Sequence, residues 1–177
     1  MSLPQNKFLL PLSCLILLCS CSSRDQQEQG TMHRDTLKEK LIRANKTFVR
    51  IQLNDIDRYI SQKGYLMDST ETGLRYRIQH MGGKEKPDES STVTIRYITS
   101  LLDGTECYRS DSTGEMKFSM SYDDVLKGLR EGVSMMHRGD KALFILPAHL
   151  AYGLTGDGNK VPSNAALVMQ VELAKIE

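Results

Sequence analysis

The chain has 177 residues, with 23 Lys and Arg against 22 Asp and Glu and a formal net charge of +1. That length holds one ordinary domain plus extensions, and the neutral balance argues against the basic stripe of a nucleic-acid binder. Charged residues at 25% and hydrophobic residues at 40% argue against a globally disordered chain. With no Trp but 9 Met and 7 Tyr, the core is expected to be aliphatic and Met-rich.

At the N-terminus Lys7 precedes an apolar run from Phe8 to Leu18, broken by Pro11, Ser13 and Cys14. The run is too short for the roughly 20 residues of a bilayer span, and its charge-then-apolar order is that of a secretion signal. It ends in Leu18-Cys19-Ser20-Cys21, which resembles a bacterial lipobox. The resemblance implies a lipoprotein signal peptide over 1–20, cleavage before Cys21, and lipid on the Cys21 thiol and its new amino group. An ordinary cleaved signal, or an uncleaved one, is the alternative. Several acyl chains anchor a protein stably where one does not. Removing 1–20 takes away only Lys7, so the mature balance is 22 against 22. Cys14 and Cys19 leave with the signal, which leaves Cys107 as the single thiol beyond Cys21 and no intramolecular disulfide framework.

Residues 21–34 are polar and aperiodic and read as a flexible tether. Thr36-Leu37-Lys38-Glu39 fits a capping box. Leu37, Leu41, Ala44, Phe48 and Ile51 then recur at helical spacing, and Val49, Leu53, Ile56 and Ile60 form a second stripe offset by one position. One long helix over about 36–62, in a segment 35–64 closed by Gly64, follows. Its stripes either pack on the domain or serve a homodimer through residues 36–62. From about Gly73 the period falls to 2. Strands are predicted at 74–78 and 93–97, an Asp103-Gly104 hairpin turn next, and a strand at 115–120. A short helix follows at 123–130. Arg138-Gly139-Asp140 is a turn feeding a strand at 141–146, and 167–173 alternates as the last strand. The pattern is α+β, with its domain at 72–177.

Most familiar chemistries find no support. Gly153-Leu-Thr-Gly156-Asp-Gly158 lacks the Gly-Lys-Ser/Thr ending of a phosphate loop. The four histidines, 33, 80, 137 and 149, show no i, i+4 or Cys-paired spacing, so spacing gives no metal site. No nucleophile elbow occurs.

An ordered set remains: Tyr97, Leu101-Leu-Asp103-Gly104, Val125-Leu126-Lys-Gly128-Leu129-Arg-Glu131-Gly132-Val133, Gly139-Asp-Lys-Ala, Pro147, Ala151-Tyr152-Gly153, Pro162 and Leu167-Val-Met169-Gln-Val171. This set resembles the FKBP-type peptidyl-prolyl cis/trans isomerases over about 105 residues at near-constant spacing. The lipobox, the N-terminal helix and the Thr72-Gly-Leu-Arg run also resemble the gliding-motility-associated FKBP lipoproteins. The resemblance implies an antiparallel sheet of five or six strands wrapped around the short helix. It implies an apolar proline pocket formed by Tyr97, Met116, Val125, Leu126, Leu129, Val161 and Met169, with Leu129 as the floor where many members have Trp. Tyr97 and Tyr152 are the catalytic candidates, Tyr152 through its hydroxyl on a peptide carbonyl. No cofactor or metal is implied. The partners implied are X-Pro segments of exported proteins and a membrane of the bacterial cell envelope, the outer membrane first, reached through Cys21.

Two departures stand against the family pattern. Where the family carries Phe-Asp after the hairpin turn, this chain has Cys107-Tyr108, and Asp111 is out of register. Met116 and Met169 stand where Phe is common. The site is therefore expected to lack its carboxylate and part of its aromatic wall. Two alternatives stay open: a weakly active or inactive peptide-binding or chaperone module, and a structural subunit of an envelope complex.

Overall fold

The structure, a computed structural model, describes residues 25–121 and 125–177, with side chains from residue 36 onward. The signal peptide and Cys21 lie outside the described residues. So do positions 123 and 124 of the short helix expected at 123–130. Arg43–Glu177 forms one compact unit, and the helical residues before it belong to another.

Helix α1 runs Asp25–Lys63 and stops where Gly64 turns the backbone to φ 65°. It starts before the expected position, so residues 25–34, read as tether, are helical. The Gln-Gln-Glu-Gln run after Asp25 is made of good helix formers. No described helix is long and apolar enough to cross a membrane.

The two stripes of α1 have different fates. Ile56 is fully buried with Leu143, Ile145, Ala166 and Val168, and Leu53, Tyr59 and Ile60 pack beside it. Leu37, Leu41, Phe48 and Ile51, of the other stripe, are exposed.

Strands β1 (Asp68–Ser69), β2 (Arg75–Gln79), β3 (Thr92–Leu101), β4 (Glu106–Arg109), β5 (Met116–Ser119), β6 (Lys141–Leu146) and β7 (Leu167–Ile176) make one antiparallel sheet. Its order is β1-β2-β6-β7-β3-β4, with β5 also on β3. The seventh strand is the two-residue β1, too short to show a period of 2. Strand alternation then divides the faces. Leu143, Ile145 and Val168 face α1, whereas Ala142, Phe144, Leu146, Met169 and Val171 face the main core.

Over that inner face lies helix α3, Lys127–Ser134. It begins later than the sequence pattern suggested, because Leu126 is its N-cap residue and has extended ψ at 129°. Gly132 explains the close seating. A Cβ there would stand 2.6 Å from the ring of Phe144, so only glycine lets the helix approach β6 at this point.

Gln52 joins α1 to the loops after β6. Its Nε2 donates to the carbonyl of Asn164 at 2.6 Å, and its Oε1 accepts from the amide of Ala148 at 2.7 Å. These two bonds hold both ends of the segment that carries Tyr152.

Candidate functional site: an apolar pocket between sheet and helix

The ten pocket candidates from the sequence meet in one place. Cys107, Leu129, Val161 and Met169 are buried members of the main core, and Tyr97, Tyr108, Met116, Val125, Leu126 and Tyr152 pack against it half-exposed. Register sets the floor of the sheet. Tyr108 pairs with Thr99, Thr99 with Met169, and Met169 with Phe144, which makes a row across four strands. Tyr97 pairs with Val171 in the next inward row. Met116 enters from β5 opposite Ile95. Leu129, on the first turn of α3, is fully buried above them, and Val125 and Leu126 lead into the helix.

Consecutive residues in a strand normally face opposite ways, yet Cys107 and Tyr108 both touch this core. The cause is a bulge: Thr99 pairs with Tyr108 while Ser100 pairs with Glu106, leaving Cys107 as the extra residue.

The polar rim differs from the sequence expectation of a site without a carboxylate. Tyr108 donates its hydroxyl to Oδ2 of Asp157, while Oδ1 accepts the amides of Asn159 at 2.9 Å and Val161 at 2.8 Å. The loop can close so tightly only with glycine at 156, where φ is +72° and a Cβ would meet the Val161 carbonyl at 2.3 Å. The aromatic and the carboxylate are thus both present, but the carboxylate comes from the opposite loop. Asp157 stands 49 residues from Tyr108 along the chain, so the register of the Phe-Asp pair does not reveal it. Its place between Tyr152 and Val161, the one acid in that glycine-rich segment, was the available signal.

Tyr97 is anchored at its far end, its hydroxyl 2.9 Å from Oγ1 of Thr113 in helix α2, Ser110–Thr113. Lys160 places its ammonium 5.3 Å from the centroid of the Tyr108 ring. Among the described residues nothing hydrogen-bonds the Tyr152 hydroxyl, which leaves it free to donate to a ligand.

The protonation states follow from these contacts. Burial pushes the Tyr152 hydroxyl up, helped by the Asp157 charge and then by Tyr97 and Cys107. Burial likewise raises the Cys107 thiol, with Asp157 adding to it. The hydrogen bond to Asp157 raises Tyr108, and desolvation adds to that. Desolvation pulls Asp157 upward, but the bonds from Tyr108 and the amides of Asn159 and Val161 outweigh it and hold the carboxyl below its ordinary range. At neutral pH the thiol is therefore protonated and the carboxylate is a weak base. The pocket offers apolar walls, hydroxyl donors and one fixed negative charge, with no activated nucleophile.

A groove of about 580 Å³ crosses the outer face of the sheet and includes Arg77, Arg96, Arg109 and Lys141. Three of these cations are already engaged. Arg96 pairs with Glu115 and Glu172, Arg109 with Glu106 and Asp111, and Lys141 with Glu172. Arg77 lies over the Tyr65 ring.

An antiparallel sheet packed over one short helix, with Tyr97, Tyr108 and Tyr152 half-buried against the core between them, is the architecture the comparisons address. Residues 83–174 match the model of the FKBP-type peptidyl-prolyl cis-trans isomerase domain, and the chain belongs to that family. It is 42% identical over 109 residues to the FKBP-type peptidyl-prolyl cis-trans isomerase FkpA of Aeromonas hydrophila, covering 62% of this chain and 40% of the relative. It is 34% identical over 121 residues to FkpA of Escherichia coli K12, covering 68% and 43%. The chain thus spans about two-fifths of the length of these curated relatives. The crystal structure of FkpA from Escherichia coli superposes with a TM-score of 0.63 at 26% identity, over 89% of this chain and 75% of that one.

Proposed function

We propose that the chain is a peptidyl-prolyl cis/trans isomerase that acts on X-Pro segments of exported proteins from a lipid anchor at the bacterial envelope. The observation that carries this reading is the gathering of the ten candidates in and against one apolar core, with the unspent hydroxyl of Tyr152 among them.

The chemistry needs only differential binding. Rotation about an amide costs about 18–20 kcal/mol because resonance must be broken, while the two X-Pro isomers differ by only about 0.5–1 kcal/mol. A twisted amide separates less charge than a planar one, so an apolar cleft that strips water favours the twisted form. In this scheme the prolyl ring rests on Leu129 between Tyr97 and Met169. Tyr152 holds a peptide carbonyl while the bond rotates, and binding energy is realised most fully at the transition state. Asp157 keeps Tyr108 and the amides of the 157–161 loop in fixed positions, so the rim needs little reordering when the peptide arrives.

A protease-coupled assay on an X-Pro peptide tests this. Wild type is expected to accelerate isomerisation. Tyr152→Phe keeps the ring and removes one hydroxyl. It is expected to lower kcat/KM by about twofold to tenfold, the rate equivalent of one neutral hydrogen bond of about 0.5–1.5 kcal/mol, with unchanged thermal stability. A wild type that binds the peptide without accelerating it leaves a peptide-binding module instead.

The anchor and the dimer belong to the same proposal. Support for the anchor is the lipobox ending in Cys21. Support for pairing of two copies through residues 36–62 is the exposed stripe of Leu37, Leu41, Phe48 and Ile51. Membrane fractionation followed by sizing checks both. Cys21→Ser should move the protein out of the membrane fraction or leave the precursor uncut, and the released chain should size as two copies. Adding Leu41→Glu should give one copy. A mature Cys21→Ser protein still in the membrane would sink the anchor, and a single copy without Leu41→Glu would sink the dimer.

A further inference from the structure

His80, just past the end of β2, and His137 and Asp140, in the turn before β6, converge at the end of β6 away from Tyr152. Asp140 is fully buried. Its Oδ1 accepts the amide of Met81 at 2.9 Å, and its Oδ2 accepts the amide of His137 at 2.8 Å. Two imidazole nitrogens aim at that same Oδ2: Nδ1 of His80 at 2.7 Å and Nδ1 of His137 at 3.5 Å. The rings stand edge to face with centroids 5.4 Å apart. One ligand atom from each of the three residues lies within 4.8 Å of the other two.

A structural carboxylate needs its two amide donors. It does not need two histidines turned toward one oxygen, and that convergence is the feature to explain. In a tetrahedral site with bonds of about 2.0–2.2 Å, ligand atoms stand roughly 3.3–3.5 Å apart. The separations of 2.7 and 3.5 Å bracket that spacing. The His80 side chain is 60% exposed, so it can move the remaining few tenths of an ångström without disturbing the core. The donor set is also selective. Imidazole nitrogens with one carboxylate suit zinc, copper or nickel, whereas magnesium and calcium take oxygen ligands. Asp140 is held by backbone amides, the kind of outer support that orients a metal ligand.

We propose that His80, His137 and Asp140 bind one divalent transition-metal ion of the zinc class, as a clip between the end of β2 and the turn that opens β6. The ion takes the place of the proton shared by His80 Nδ1 and Asp140 Oδ2. Neutral His80 then carries its proton on Nε2, on the solvent side. The clip closes over Gln79 and Lys141, the last register pair of β2 and β6, and so it fastens the sheet beyond its last ladder bonds.

Calorimetric titration of the metal-free, detergent-solubilised full chain with Zn²⁺ tests the proposal. One equivalent is expected to bind with micromolar or tighter affinity. His80→Gln and His137→Gln are each expected to weaken binding at least about tenfold, while His149→Gln leaves it unchanged. Thermal unfolding supplies a second measurement, since an ion that binds only the folded chain raises its midpoint. Zn²⁺ should raise that midpoint in wild type and in His149→Gln, but not in the other two variants. Both histidines lie outside the packed core, so these variants should fold, and if one did not the other decides. No saturable Zn²⁺ binding by wild type, or an affinity unchanged in either His80→Gln or His137→Gln, overturns the site.

Discussion

Leu129→Ala is expected to cost about 2–5 kcal/mol of folding free energy, the range for removing a buried leucine from a core that cannot collapse around the gap. Leu129 is fully buried on the first turn of α3 and belongs to the same core as Met169 and Phe144. Collapse there is blocked, because Gly132 already brings α3 against Phe144 as near as the ring allows. Against a total stability of about 5–15 kcal/mol the loss is large. Denaturant unfolding reads it directly as a lower midpoint at unchanged slope. Under the proposed function the same change also removes the floor on which the prolyl ring rests, so kcat/KM should fall in samples still folded. Leu129→Met conserves volume and should cost less than about 1.5 kcal/mol. Equal losses in the two variants would contradict the assignment of Leu129 as a packed floor.

Gln52→Ala is expected to lose about 2–6 kcal/mol, although Gln52 lies far in sequence from both of its partners. A buried polar group stripped of its partner costs about 1–3 kcal/mol, and this one substitution strips two, the Ala148 amide and the Asn164 carbonyl. Those groups bracket the segment that carries Tyr152 and Asp157. Activity should therefore fall more than stability alone accounts for, through a higher KM for the peptide. Gln52→Glu separates the two bonds. It keeps an acceptor for Ala148 but has no donor for Asn164, and it places a charge at a buried position. Hydrogen exchange at the Ala148 amide, protected in wild type, should speed up in Gln52→Ala and stay slow in Gln52→Glu. An Ala148 amide exchanging at the wild-type rate in Gln52→Ala would show that the clasp does not hold the loop.

Features that depend on local order were legible along the chain. The period of 2 in 93–97 and 167–173 marked the two central strands, and Asp103-Gly104 marked the turn after β3, because alternation and turn chemistry are properties of a few adjacent residues. Two stripes one position apart on α1 were legible for the same reason, and they do face different surroundings: Ile56 is buried while Leu41 is exposed. The spaced set from Tyr97 to Met169 specified the family, and its residues lie in or against one core.

Features that depend on the approach of distant segments emerged only in the folded chain. Cys107 and Tyr108 face one way through a bulge that no alternation rule shows, and that bulge brings the Tyr108 hydroxyl to Asp157 across the cleft. Gln52 carried no signal, since a polar residue on a helix is ordinarily solvated, and its role exists only because two backbone groups have no other partner. The three residues around Asp140 Oδ2 have no metal-site spacing in sequence. They meet because β2 pairs with β6 and puts His80 beside the turn that holds His137. Local pattern fixes which residues can be buried, and the closing of the sheet fixes which buried or half-buried groups must satisfy one another.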